Sequence, residues 1–139
     1  MNFKVIFDSK EFESAVEAVA SRTIRRFASD VISRMKISFS EPKSGRFYKV
    51  SKTGRPHQAS APGQAPAVLT GFLTNSIQSA FPKLTEGVIT IGAEYAEYLE
   101  RGPRNWKQQP SRRPFVEPAL EGALEAINST SGSVFGRLI

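Results

Sequence analysis

SKEFESAVEAVASRTIRRFASDVISRMKI, residues 9–37, is the stretch that decides the fold. Phe12, Val16, Val19, Ala20, Ile24, Phe27, Val31 and Met35 recur mainly at steps of three and four, the spacing that gathers side chains on one face of a helix. Asp8, with Glu11 three residues on, is a capping-box variant at its start. Arg22, Arg25, Arg26, Asp30 and Arg34 fall on or beside the solvated flanks. The pattern predicts one amphipathic helix roughly 40 Å long at 1.5 Å per residue. Its apolar stripe must be covered, either by a sheet of the same chain or by a helix of another subunit.

On the N-terminal side, Phe3 to Phe7 (FKVIF) reads as a strand. On the C-terminal side the chain turns irregular for about 29 residues from Glu41, several times the roughly 4 to 6 residues of an ordinary connection. Pro56, Pro62 and Pro66 each remove a backbone donor, so neither a helix nor a central strand runs through this segment. Beyond it, Leu69, Phe72, Leu73, Ser76 and Ile77 keep helical spacing behind Thr70, predicting a helix of two to three turns that ends before Pro82. Val88–Ile91, bounded by Gly87 and Gly92, reads as a strand, with Ser79–Leu84 as its hairpin partner across Thr85, Glu86 and Gly87. Pro82 pushes that partner to an edge or a bulge.

Tyr95, Ala96, Tyr98 and Leu99 predict two further helical turns that stop at Gly102-Pro103. Pro114 then opens a helix with Phe115, Ala119, Leu120, Ala123, Leu124 and Ile127 inward and the row Glu117, Glu121, Glu125 on its flank. The end, NSTSGSVFGRLI, begins as a Ser/Gly linker and finishes with Val134, Phe135, Leu138 and Ile139, apolar enough to dock on its own subunit or on a neighbour. Together these readings predict an α+β fold. A long N-terminal amphipathic helix packs on a small antiparallel sheet, with two or three shorter helices and a long extended loop. Residues 1–128 form one domain, 41–66 its basic Pro/Gly loop and 129–139 a tail.

The 139 residues contain no cysteine, which excludes disulfides and thiolate metal sites, and His57 is the lone histidine. His57 sits in a Pro/Gly loop with no adjacent Asp or Cys, and no phosphate-cradling glycine loop or carboxylate metal motif is present. Glu94, Glu97 and Glu100, spaced by three, drift around one side of a helix as a polar face. No catalytic role, cofactor, metal or small-molecule substrate is expected. The opening MNFKVIFDSK lacks the apolar core of a signal peptide, and no apolar run approaches the roughly 18 residues that would span a bilayer, so a cytoplasmic site of synthesis and no membrane contact are expected.

Charge is uneven along the chain. Residues 41–57 sum to +4 and residues 101–113 to +5, while the remainder sums to −3. All the positive excess of a +6 chain thus lies in two loops, a pattern suited to nucleic acid or to an acidic protein surface. In the first loop Arg46, Tyr48, Lys49, Lys52, Arg55, His57, Ser60, Pro62, Gly63 and Pro66 are candidate contacts to another copy or a partner. In the second the candidates are Arg104, Trp106, Lys107, Arg112 and Arg113. Trp106, an aromatic among cations, serves either as an interface anchor or stacking platform, or as a cover over the core. A small basic protein that binds DNA non-specifically is the alternative reading of this charge.

Four pieces of sequence also occur in a distinctive order. They are Ala59-Ser60-Ala61-Pro62-Gly63-Gln64-Ala65-Pro66-Ala67; Thr70-Gly71 with Leu73 and Ser76-Ile77; Tyr95-Ala96 through Glu100 and Gly102; and Arg113-Pro114-Phe115 with Pro118-Ala119-Leu120. In order and spacing, over about residues 9 to 127, they resemble the minor tail and neck proteins of tailed bacteriophages that act in head-tail joining or tail completion. One departure is Gly102-Pro103, where that family commonly has Gly-Thr. The resemblance implies a structural virion protein made in the host bacterial cytoplasm, forming a ring, six-fold in expectation, between head connector and tail. Its implied partners are further copies of itself and neighbouring connector, tail-completion or tail-tube proteins, with DNA passing through. Rings need heterologous contacts, and long loops or apolar tails that find order against a neighbour can supply them.

Overall fold

The computed structural model describes the backbone of residues 9–49, 51–102 and 112–138, and the side chains of all of these but 9, 11, 12 and 130–138. The order of elements is α1 (Ser9–Ser40), β1 (Phe47–Tyr48), β2 (His57–Gln58), α2 (Phe72–Asn75), β3 (Ile77–Lys83), β4 (Glu86–Ile91), α3 (Ala96–Arg101) and α4 (Val116–Leu138). The fold is mixed α+β, with a long N-terminal helix, two small antiparallel two-stranded sheets and shorter helices.

Helix α1 is about 48 Å long at 1.5 Å per residue and runs one turn further than the apolar spacing alone predicts. Among its described side chains, only those of the C-terminal half are buried. Val31, Met35 and Phe39, one per turn, are between 0% and 3% exposed, whereas Val16 and Val19 on the same predicted stripe are 51% and 56% exposed. The stripe outruns the rest of the domain, so its first turns have nothing of their own chain to lie on among the described residues. What covers the buried half is chiefly α4, with the β3–β4 hairpin alongside. Phe115, Ala119 and Ala123 of the α4 region are 1%, 4% and 0% exposed. Alanines at this face, with Gly122 set against the Arg34 guanidinium, let the two helices approach closely. Leu120 and Leu124, expected to point inward, are instead 37% and 51% exposed, because the core-facing row runs at steps of four through Phe115, Ala119 and Ala123.

The β3–β4 hairpin pairs Ile77 with Ile91, Ser79 with Ile89 and Lys83 with Glu86, leaving Leu84-Thr85 as the turn. The ladder shifts register between Ala80 and Lys83, where Pro82 cannot donate, as the proline rule requires. Ile77, Ile89 and Ile91 face the core at the strand period while Val88 and Thr90 face outward. The predicted α2 shrinks to a single turn, because Ile77, buried at 7%, begins the strand instead of closing a helix. Gly71 supplies the N-cap with φ at 78°, a left-handed value favoured by glycine, and the Phe72 amide donates to Thr70 Oγ1 at 3.3 Å. Gly102, with φ at 76°, ends α3, its amide donating to the Tyr98 carbonyl at 2.8 Å.

Two further expectations are revised or unaddressed. Helix α4 continues through Leu138, so the Ser/Gly stretch after Asn128 is helical and no linker separates a tail. The FKVIF strand lies outside the described residues, and the sheet of this region has two strands among those described.

The asymmetry of α1 sets a stability test. Met35→Ala should cost about 2–5 kcal/mol in denaturant unfolding, as a buried large-to-small change does, whereas Val16→Ala should stay within about 0.5 kcal/mol. Equal costs would mean that the N-terminal turns of α1 are packed.

Candidate functional site

The start of α4 has no residue able to cap it locally. Arg113, Pro114 and Phe115 lack the short polar acceptor that usually receives the first amides of a helix. Glu100, at the end of α3, supplies it from a distance. Its Oε2 accepts the amides of Phe115 and Val116 at 2.8 and 3.0 Å, and its Oε1 accepts that of Glu117 at 3.0 Å. A carboxylate there also meets the positive end of the helix dipole. The chain is drawn in on both sides of this cap. Arg113 donates its amide to the Leu99 carbonyl at 2.7 Å, and Arg112 Nε donates to the Glu100 carbonyl at 2.8 Å.

The long loop is tied to the same place. Ser60 is 5% exposed, the one buried polar residue among the described residues, and the Arg113 guanidinium donates to its Oγ at 2.9 Å and to its carbonyl at 3.1 Å. The Gly63 amide donates to the Arg112 carbonyl at 2.8 Å. Gln64 holds the turn together: its Oε1 accepts the amides of Ala61 and Ser44, and its Nε2 donates to Ser44 Oγ. Pro66 is buried, Pro62 exposed. Lys43 reaches back to the last turn of α1, donating to the Ser38 carbonyl at 2.6 Å, and burial holds its ammonium below the usual lysine range despite the nearby Glu41 carboxylate. Three of the four ordered sequence pieces, centred on Ser60, Glu100 and Arg113-Pro114-Phe115, therefore meet in one interlock.

From this base the loop rises as a ribbon. β1 and β2 pair antiparallel, Phe47 with Gln58 and Tyr48 with His57, a short ladder where irregular chain was expected. Pro56 stands just outside the ladder, where its missing donor costs nothing. The His57 ring packs edge-on against Tyr48 at 5.5 Å between centroids and is half-buried. The tip connecting the strands bears Lys49, Lys52 and Arg55, and with Arg46 all four are exposed and make no ion pair among the described residues.

Between this ribbon, the 66–74 segment and α3 lies an open groove of about 340 Å³. Its walls include Tyr48, Leu69, Phe72, Tyr95 and Leu99, with Thr70 and Arg113 among its polar members. Phe72 and Tyr95, 58% and 44% exposed, have ring centroids 6.3 Å apart. Aromatics that pair with each other yet remain in water make a hydrophobic surface suited to a protein partner. Among the described residues no cluster of His, Cys, Asp or Glu could hold a metal ion, and no helix is long and apolar enough to cross a membrane.

The predicted interface residues thus separate. Arg46, Tyr48, Lys49, Lys52 and Arg55 stand on the exposed ribbon, while Ser60, Arg112 and Arg113 are engaged inside the interlock. Of the structural motif residues, Leu73 is buried in the core and Ser76 Oγ donates to the Leu73 carbonyl at 2.8 Å. Arg104, Trp106 and Lys107, together with Ile139, lie outside the described residues; Phe135 and Leu138 lie on α4, their side chains likewise outside. The capping role of Glu100 escaped a reading of Glu94, Glu97 and Glu100 as one polar face. The available signal was a helix opening at Pro114 with no acceptor of its own. Compared with protein-family models, with curated proteins and with solved structures, the chain finds no match in any of the three.

Glu100→Ala should lower stability by about 2 kcal/mol or more, through three stranded amides, and Glu100→Gln by less. Arg113→Lys should also destabilise, since an ammonium cannot reproduce the guanidinium fork onto Ser60. Denaturant midpoints unchanged in both Glu100→Ala and Arg113→Lys would show that the interlock is dispensable.

Proposed function

We propose that this chain is a structural virion subunit of a tailed bacteriophage, a ring-forming component of the head-tail junction that links connector to tail and performs no catalysis. The observation that carries the reading is the division of the long loop into an anchored base and an exposed basic ribbon beside an aromatic groove. The base is fixed by Arg113 and Gln64, so the exposed tip of the ribbon is held at a defined place. Phe47, at 62% exposure, and Tyr48, at 44%, then offer apolar contact beside four cations. Such a ribbon, set against a different patch of the next copy, makes the heterologous contact that ring closure requires. Convergence of the ordered motif pieces on one interlock further supports the resemblance, because residues that recur together in a family are explained when they hold one another. Six copies around an axis with DNA in the lumen is the arrangement this reading expects, the cations tolerating phosphate without reading bases.

The unpaired cations at the ribbon tip favour one second reading, a non-specific DNA-binding protein. Both readings use Lys49, Lys52 and Arg55, and they differ in what happens in assembled particles.

Trypsin should cut the free protein after Lys49 or Lys52, and these bonds should be protected in particles. Phage lacking the protein should accumulate separate heads and tails. Equal cleavage in both states, or infectious particles without the protein, would overturn the structural reading. The DNA-binding reading instead requires an affinity for duplex DNA whose logarithm falls linearly with the logarithm of salt concentration. Absence of binding at low ionic strength removes it.

A further inference from the structure

Helix α4 buries Ala119 and Ala123 yet leaves Leu120 and Leu124 on its other side at 37% and 51% exposure. At 100° per residue these two leucines share a face with Glu117, Glu121 and Asn128, and Glu125 borders it. Nothing in the described chain covers this face. Glu121 and Glu125 make no ion pair among the described residues, and Glu117 reaches Arg112 at 3.5 Å only at the helix start. The surface is therefore apolar along its centre and acidic along its edge.

The ribbon of residues 46–58 has the opposite character. Phe47 and Tyr48 give it apolar area, and Arg46, Lys49, Lys52 and Arg55 give it four positive charges without an acid. In its own copy it satisfies none of these charges with a carboxylate among the described residues. Two surfaces that match in apolar content and oppose in charge, and that are both uncovered within one chain, are complementary between chains.

We infer that the ribbon of one copy docks on the Leu120–Leu124 face of α4 of the next copy, Phe47 and Tyr48 against the leucines and the tip cations against Glu121 and Glu125. The occupant of the α4 face is a second copy of this chain. The contact is heterologous, because ribbon and helix face are different patches, so every copy offers both and a closed ring leaves neither exposed. This deepens the ring-forming reading above and rests on it. Charge at the rim steers the encounter and makes association weaken with salt, while the apolar centre holds the bound state.

Because the chain contains no cysteine, introduced thiols report the contact directly. Thr53→Cys at the ribbon tip leaves every charge in place, and Leu124→Cys marks the helix face. The full-length double variant, concentrated at low salt and treated with a short bis-maleimide, should give a covalent ladder extending beyond dimers. Each single variant should give no ladder. In parallel sedimentation, Lys52→Glu with Arg55→Glu should weaken association by about tenfold or more, and adding Glu121→Lys and Glu125→Lys to the same chain should restore it. Oligomers that form without a ladder and ignore charge reversal would overturn the docking mode and leave the ring reading standing. Dimers from Thr53→Cys alone would mean that ribbon meets ribbon, and would also overturn it. A wild-type chain that stays monomeric at its highest attainable concentration, with no ladder from the double variant, would remove both the docking and self-assembly into a ring. Duplex DNA bound by the ribbon, with no ladder, would assign the cations to nucleic acid instead.

Discussion

The fold depends on a helix that cannot begin by itself. Pro114 fixes the backbone at the start of α4 but brings no acceptor for the amides that follow, and the carboxylate of Glu100 accepts three of them from across the domain. That one side chain joins α3 to α4. Since α4 is what covers the buried half of α1, the cap also fixes the main helix packing of the molecule. Phe115 follows directly, its ring 5.3 Å from that of Phe39 at the centre of the core.

Arg113 extends the same interlock to the long loop. Its guanidinium fills the hydrogen-bonding needs of Ser60, a buried hydroxyl that would otherwise be costly. Fixing the loop at Ser60, Gly63 and Gln64 leaves β1 and β2 as a two-stranded ribbon whose tip cations are exposed. A bare two-stranded ribbon has little stability of its own, so its base must be held if its tip is to present residues at a fixed place. The proposed assembly role uses this property: rigid support below, uncommitted charge and aromatic area above.

Periodicity made the regular elements legible. Steps of three and four marked α1 and α4, and β-branched Val88–Ile91 between glycines marked β4. Pro82 correctly announced an irregular ladder. What periodicity misjudged was extent and facing. Val16 and Val19 fit the stripe of α1 yet have no partner among the described residues to bury them, and Leu120 and Leu124 fit an inward face that the row of alanines occupies instead. Ile77 satisfied helical spacing and strand composition alike, and its pairing with Ile91 decided between them. Of the candidate interface, the charge excess in the first loop was readable from composition, but its sorting into an internal anchor and an exposed tip was not.

By itself the sequence determined where the long helices α1 and α4 and the strand β4 lie, where the chain must break and the concentration of positive charge in two loops. These are local properties, set by the spacing of apolar side chains and by prolines and glycines that restrict or free the backbone. Only the tertiary structure decided that Arg113 faces Ser60 instead of solvent, that Glu100 caps α4, and that two leucines of α4 remain in water. Each of those depends on which distant segment arrives beside which. A charged side chain reads the same in sequence whether it is spent on a buried hydroxyl or left free for a partner, and packing alone makes the choice.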